Sequence, residues 1–383
     1  RRDTAVIDHR AKGLQIDKIH QNPPNPSATA METIHLMRWT CPQGTKTMAS
    51  MTHLQHSRFS ARFGLTTPVA LAPMALASGG ALAAACARAG ALGLVGGGYG
   101  DLAWTQREYQ LALQAADTGR IGCGFITWKL DEDASALDWV LDLPAAQRPR
   151  AVMLSFGDPR PYGARIAASG AALICQVQCM AQVPQAIEAG ASAIVAQGAE
   201  AGGHGMDALH GRATLTFVPE LADWLAAHSP DTLLLAAGGI ADGRTLAAAL
   251  VLGADGALVG SRLWATQESL APAGAKALAV QTDGDGTART AIFDILRRKN
   301  WPAPYDFRAI RNPLHRQWEG RIDALRAAPE EARAAYDAGV AAGDFSAAHA
   351  TAGEAVGLIH DLPGAAELIA RMDSQARARL APR

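Results

Sequence analysis

The residue in this chain best placed to do chemistry is a histidine among glycines. His204 closes the stretch Gln197-Gly198-Ala199-Glu200-Ala201-Gly202-Gly203-His204, and Gly205 follows it. An imidazole has an unperturbed pKa near neutrality, so it can take or give a proton where most side chains cannot. The glycines around it leave it little packing to do and let the backbone approach a ligand. An exposed loop histidine is the plain alternative, but the place of His204 after an apolar run, facing a presumed ligand mouth, favours function. Glu200 is a second acid–base candidate, and a solvated or helix-capping carboxylate is the reading we favour for it.

Two glycine turns offer a different chemistry. Gly238-Gly239-Ile240-Ala241-Asp242-Gly243 precedes a helical stretch, and Gly260-Ser261-Arg262 follows a later apolar run. Exposed backbone N–H groups and a helix N-terminus at such turns bind a phosphate dianion, so the pair points to a phosphorylated ligand. Gly96-Gly97-Gly98 reads equally well as a close approach to a ligand or as a flexible turn. In Ala72-Pro73-Met74 the proline marks the end of a strand. Other chemistries find no support. There is no Ser-His-Asp elbow, no paired-histidine metal motif and no Walker loop, and the 96–100 glycines lack dinucleotide-binding spacing. The five cysteines, Cys41, Cys86, Cys123, Cys175 and Cys179, are odd in number and lie mostly in apolar segments. That argues against a disulfide framework and fits a reducing, cytoplasmic setting. Cys175 and Cys179 have no His or Cys cluster beside them, so we expect no metal site.

These residues must be held by something, and from Pro68 onward the pattern says what. Short apolar runs at 69–72, 92–95, 121–127, 151–156, 173–177, 193–196, 233–236 and 256–259 alternate with helical stretches such as 81–89, 183–189 and 244–252. Several of those stretches end on glycine, as at Gly90, Gly190 and Gly253. Repeated β-α units of this kind predict a parallel sheet. Eight of them predict an α/β fold, a (β/α)8 TIM barrel, with a doubly wound open sheet as the alternative. Barrel enzymes carry their sites at the C-terminal ends of the strands, which is where the stretches above fall.

We expect three parts: a disordered N-terminal extension over 1–56, a barrel over 57–270 and a helical accessory region over 271–383 that packs on the barrel mouth. The first part is polar and carries Pro23, Pro24 and Pro26; Met48 and Met51 lie just before the first patterned segment. The third reads as helical without strands, with a loop at 301–304 and helices at 329–338 and 365–379. Across 383 residues, 49% are hydrophobic and 19% charged, with a formal net charge of -1. That composition supports a large core and gives no basic field for nucleic acid or a membrane surface. The sequence shows no apolar run long enough to cross a bilayer and no signal-peptide core.

Taken in order, these pieces resemble the nitronate monooxygenase family, the 2-nitropropane dioxygenase-like proteins. The pieces are Ala72-Pro73-Met74, the Glu-Ala-Gly-Gly-His core ending at His204, the glycine turn running on to Arg244, and Gly260-Ser261-Arg262. Arg289-Thr290, residues 308–312 and Gly353-Glu354-Ala355-Val356-Gly357-Leu358-Ile359 complete the set. The resemblance spans about 63–371. It implies non-covalent FMN, with Ala72, Pro73 and Met74 beside the flavin ring and Gln178, Gln197 and Gly202 near the ring or ribityl chain. Gly238, Gly239, Leu258, Val259, Gly260 and Ser261 would hold the phosphate. It implies His204 as the catalytic group and a small-molecule reaction, in which alkyl nitronates and O2 give carbonyl compounds and nitrite. Two departures bear on the substrate pocket: Cys179, where the family often has a small hydroxylated residue, and Gly98-Tyr99-Gly100 in place of a more polar loop. A flavin-dependent enoyl-acyl-carrier-protein reductase using a reduced nicotinamide resembles the chain too. A flavin-free phosphate-binding isomerase or lyase is the reading from another class.

Overall fold

The computed structural model describes residues 57–116 and 118–381. The expectation for 1–56 therefore lies outside the described residues. Eleven strands occur among them: β1 (Val69–Leu71), β2 (Gly93–Gly98), β3 (Ile121–Ile126), β4 (Ala151–Ser155), β5 (Ala172–Val177), β6 (Ala193–Gln197), β7 (Gly203–Met206), β8 (Leu233–Ala237), β9 (Gly256–Val259), β10 (Thr287–Thr290) and β11 (Tyr305–Ile310). Eight of them form one parallel sheet in the order β1-β9-β8-β6-β5-β4-β3-β2. A parallel bridge between Ala70 and Leu92 joins its two edges. There Leu71 donates to the Leu92 carbonyl at 2.8 Å, and Leu92 donates to the Val69 carbonyl at 3.0 Å. The sheet is a barrel, as the repeated β-α pattern predicts.

Strand alternation divides the core into two shells, because successive side chains point to opposite faces. Leu92, Leu94, Ala151, Met153, Ile174, Val195, Leu235 and Leu258 fill the barrel interior, where the short helix Arg58–Phe63 adds Phe59 and Phe63. Leu154, Cys175, Ile194, Ala236 and Val259 point outward against the surrounding helices. The last helix, Ala365–Leu380, joins that outer ring beside the helices Gly243–Val251 and Gly80–Arg88. Its approach is close: a Cβ added at Gly243 would stand 2.3 Å from the Gln375 Cβ, and Gly243 donates its amide to the Gln375 side chain at 3.0 Å.

The segment between β9 and that last helix differs from expectation. We read everything after 270 as helical, yet β10 and β11 lie there and join β7 in a three-stranded antiparallel sheet. The strands are short and bear arginines at 289 and 308, so they lack the continuous apolar run that marked the barrel strands. The helix expected at 329–338 runs instead from Glu330 to Ala342 and ends on Gly343 in the left-handed region, with Gly339 in its interior. Among the described residues, no helix is long and apolar enough to cross a membrane.

Candidate active site

A cavity of about 790 Å³ is lined by residues from the C-terminal ends of the barrel strands and from the 264–355 segment. Ala72, Pro73 and Met74 line it after β1, Gln197 at the end of β6, Gly202 and His204 just beyond. Gly238 and Gly239 line it after β8, as do Leu258, Gly260 and Ser261 at β9. Two expected residues do not reach the wall. Val259 alternates outward from Leu258 and is fully buried between barrel and helices. Gln178 is buried behind the wall and donates its amide to Gln197 Oε1 at 3.0 Å. The residue that lines the cavity from β5 is Gln176, which shares its strand face with the inward Ile174 and also donates to Gln197 Oε1, at 3.1 Å. Parity along the run 173–177 was the available signal for it.

The glycine turns look as expected in one respect and not in another. Gly238 and Gly239 adopt φ of +96° and +77°, a conformation natural to glycine. A Cβ added at Gly239 meets nothing within 4 Å, so that position opens on free space. The helix after this turn, however, is capped by its own aspartate. Asp242 accepts from the amides of Arg244 and Thr245 at 2.9 and 3.0 Å, in a closed capping box. An anion there is left with the glycine turns rather than that helix end. Gly96, Gly97 and Gly98 belong to β2 itself. Added Cβ atoms at these positions would fall 2.3 Å from the Met74 carbonyl, 2.5 Å from the Phe125 ring and 2.5 Å from the Ala75 side chain. Gly96 and Gly97 serve close packing of neighbouring segments, and Gly98 does so while also lining the cavity.

His204 is the largest departure from the sequence reading. It is buried, and it sits in β7 paired opposite Phe307 of β11. Its Nε2 lies 3.0 and 2.9 Å from the two carboxylate oxygens of buried Asp294. The Trp301 indole stacks on the imidazole with ring centroids 3.4 Å apart and planes 13° from parallel. Trp301 in turn donates its indole N–H to the Tyr99 hydroxyl at 3.1 Å. Burial is the largest influence on the ring and pulls its pKa down to about 4, against the opposing pull of Asp294, so the imidazole is neutral at pH 7.

The loop that leads to His204 is clamped from outside. The Arg289 guanidinium donates to the carbonyls of Gly203 (3.0 Å), Asp306 (2.7 Å), Ala201 (2.6 Å) and Ala199 (3.3 Å). Five donors in a fixed fork suit a guanidinium to this task. Gln197 adds a bond from its amide to the His204 carbonyl at 3.1 Å. Glu200 lines the cavity, but its carboxylate accepts from the Thr214 amide at 3.0 Å and the Thr214 hydroxyl at 2.9 Å. It caps the start of the helix Thr214–His228 and is engaged there. Cys179 is absent from the cavity wall, whereas Tyr99 is part of it. Asp294, Trp301, Gln176 and Arg297 are the site residues that sequence reasoning missed.

Comparison with known proteins agrees with this geometry. A family model described as nitronate monooxygenase matches residues 131–374. A nitronate monooxygenase of Neurospora crassa is 30% identical over 342 residues, 81% of this chain and 89% of that protein. A nitroalkane oxidase from Streptomyces ansochromogenes superposes with a TM-score of 0.68 at 26% identity, over 84% of this chain and all of the other. FabK from Thermotoga maritima superposes at 0.71 with 24% identity, over 85% of this chain and 97% of its own, a likeness of fold. The chain belongs to the nitronate monooxygenase family.

Proposed function

We propose that the chain is an FMN-dependent monooxygenase that converts alkyl nitronates and O2 to carbonyl compounds and nitrite. The observation that carries this reading is that one cavity is lined both by a glycine cradle and by a neutral, anchored histidine. Successive glycines with positive φ form the kind of backbone concavity that binds an anion, and the open space at Gly239 leaves room for one. Gly238, Gly239, Gly260 and Ser261 would hold the FMN phosphate. Ala72, Pro73 and Met74 would flank the ring, with Gln197 and Gly202 near the ribityl chain. Bound there, FMN would supply the electron transfer and the reaction with O2, which no side chain offers.

The chain's own residues do the rest. Arg297 and Lys299 line the same cavity and give that part of the wall a positive character that favours an anionic substrate, while the neighbouring Arg298 is paired with Asp337. Trp301, Phe307 and Phe156 pack around His204 and exclude water from it. With a neutral nitroalkane, His204 takes the α-proton. With a nitronate that proton is already gone, and the imidazole orients the anion instead. Denaturing the purified protein should release FMN, identified by mass, and the intact protein should form nitrite from an alkyl nitronate in air. A colourless protein that binds no added FMN, or a flavoprotein that forms no nitrite, overturns the proposal.

A further inference from the structure

We propose that Asp294 is a positioning residue that fixes His204 with its proton on Nε2, leaving Nδ1 as the nitrogen that accepts the substrate's proton. A carboxylate offers acceptors only, so both contacts to Nε2, at 3.0 and 2.9 Å, require the ring to be the donor there. A neutral imidazole carries one N–H, and Nδ1 is then its lone pair. Among the described residues, no hydrogen bond reaches Nδ1. Ring rotation is blocked as well: Trp301 stacks on one face, and Phe307 lies tilted with its centroid 4.8 Å away.

Asp294 is itself held by the fold. It lies in the short helix Ile292–Leu296, whose Ile292, Phe293 and Leu296 are buried with Phe307, Leu325 and Tyr336. The Arg297 guanidinium stands 3.8 Å from its Oδ1. Other charged or titratable groups face the pair. Arg297 and Arg289 oppose a second proton on His204, and His349 lies close enough to interact with it. Tyr99, Lys299 and Asp306 interact with Asp294. A base needs one free nitrogen and a fixed partner on the other; Asp294 is that partner, and His204 is among the residues that line the cavity.

The inference deepens the proposed function for the proton-transfer step only, and its central readout needs no substrate. In protein labelled with ¹⁵N-histidine, the His204 signals are assigned by their loss in His204→Asn. Wild type at pH 7 should show a protonated Nε2 and a bare Nδ1. Asp294→Asn, whose amide can donate to Nε2, should shift the ring toward the Nδ1–H form. It should lose roughly 10²–10⁴-fold in kcat with neutral nitroalkane, the range typical of a general base. Its FMN content should stay at the wild-type level, and its loss with pre-formed nitronate should be under about tenfold, since no proton remains to be taken. A wild-type ring protonated on Nδ1 or on both nitrogens overturns the proposal, even if Asp294→Asn fails to fold. Unchanged nitroalkane turnover in a folded Asp294→Asn overturns it too. A protein with the wrong tautomer that still makes nitrite from nitronate keeps the proposed function and loses this assignment alone.

Discussion

The floor and the roof of the cavity are built on different principles. The floor is the rim of the barrel, where glycines and short turns after β1, β8 and β9 present backbone. The roof is the small sheet β7-β11-β10 with the helix and loop between its last two strands, where side chains do the holding. Floor residues lie within a few positions of the strand that carries them. Roof partners are remote in sequence: Asp294 lies 90 positions from His204, and Trp301 lies 202 from Tyr99. A backbone cradle suits a ligand group that is always the same. A side-chain roof can be retuned, which suits the part we propose handles a proton and selects a substrate.

Changing one region at a time should separate their roles. The largest effect should come from the roof. His204→Asn removes the ring that carries the proton, and turnover of neutral nitroalkane should fall roughly 10²–10⁴-fold. Pre-formed nitronate should suffer less, and FMN should remain bound. Equal losses with both substrates would reduce His204 to a positioning group.

The floor should respond in the opposite sense. In Gly239→Leu the new side chain grows into the open space at that position, so FMN occupancy should drop well below stoichiometric, measured as the flavin-to-protein ratio of folded material. Full occupancy would place the phosphate elsewhere. Some loss of stability is expected besides, since a left-handed φ costs a non-glycine residue about 1–2 kcal/mol.

This contrast also explains what was legible in the sequence. The barrel could be read because each strand announces itself locally: apolar runs such as 193–196 and 233–236, bounded by turn residues such as Gly190, Gly198, Pro230 and Gly238, have no other sensible use. The floor followed from position, since a turn after a barrel strand has one place to go. Val259 faces away from the cavity because adjacent positions on a strand differ in facing, which composition does not record, and Gln178 lies one residue past β5, where the alternation that turns Ile174 and Gln176 inward no longer holds. The roof was hidden for a deeper reason. β10 and β11 are arginine-bearing strands whose partners are each other and a four-residue segment around His204, so no period in any one of them marks a sheet. His204 itself was found for a partly mistaken reason. Its glycines looked like freedom from packing, whereas the ring is among the most constrained in the site. Glu200, by contrast, does the capping that a carboxylate before a helix is expected to do.

Trp301→Ala sharpens the account of the roof. Burial is the main reason the His204 pKa lies near 4, and the indole covers one ring face. Removing it admits water, so the pKa should climb back toward the ordinary value near 6.5. Nitroalkane turnover in wild type should be flat from pH 6 to 8, whereas the variant should lose activity several-fold between pH 8 and pH 6. A flat variant profile would mean that Trp301 does not shield the ring.

The smallest expected effect is on stability. His204 and His349 are both held by burial below the ordinary histidine value, at about 4 and about 3. The unfolded chain therefore takes up protons first as the pH falls, and stability is lost progressively below about pH 6.5. Melting temperature should fall between pH 7 and pH 5, and His204→Asn should make that fall shallower. An identical slope in the variant would show that His204 does not titrate differently on folding.

The most direct test of the central claim is anaerobic mixing of the FMN-loaded protein with an alkyl nitronate and, separately, with NADH, while the visible flavin band is followed. The account predicts prompt bleaching by the nitronate, slow or absent bleaching by NADH, and nitrite once air is admitted to the nitronate sample. Prompt bleaching by NADH with no response to nitronate would contradict it and assign the cavity to a nicotinamide-dependent reductase.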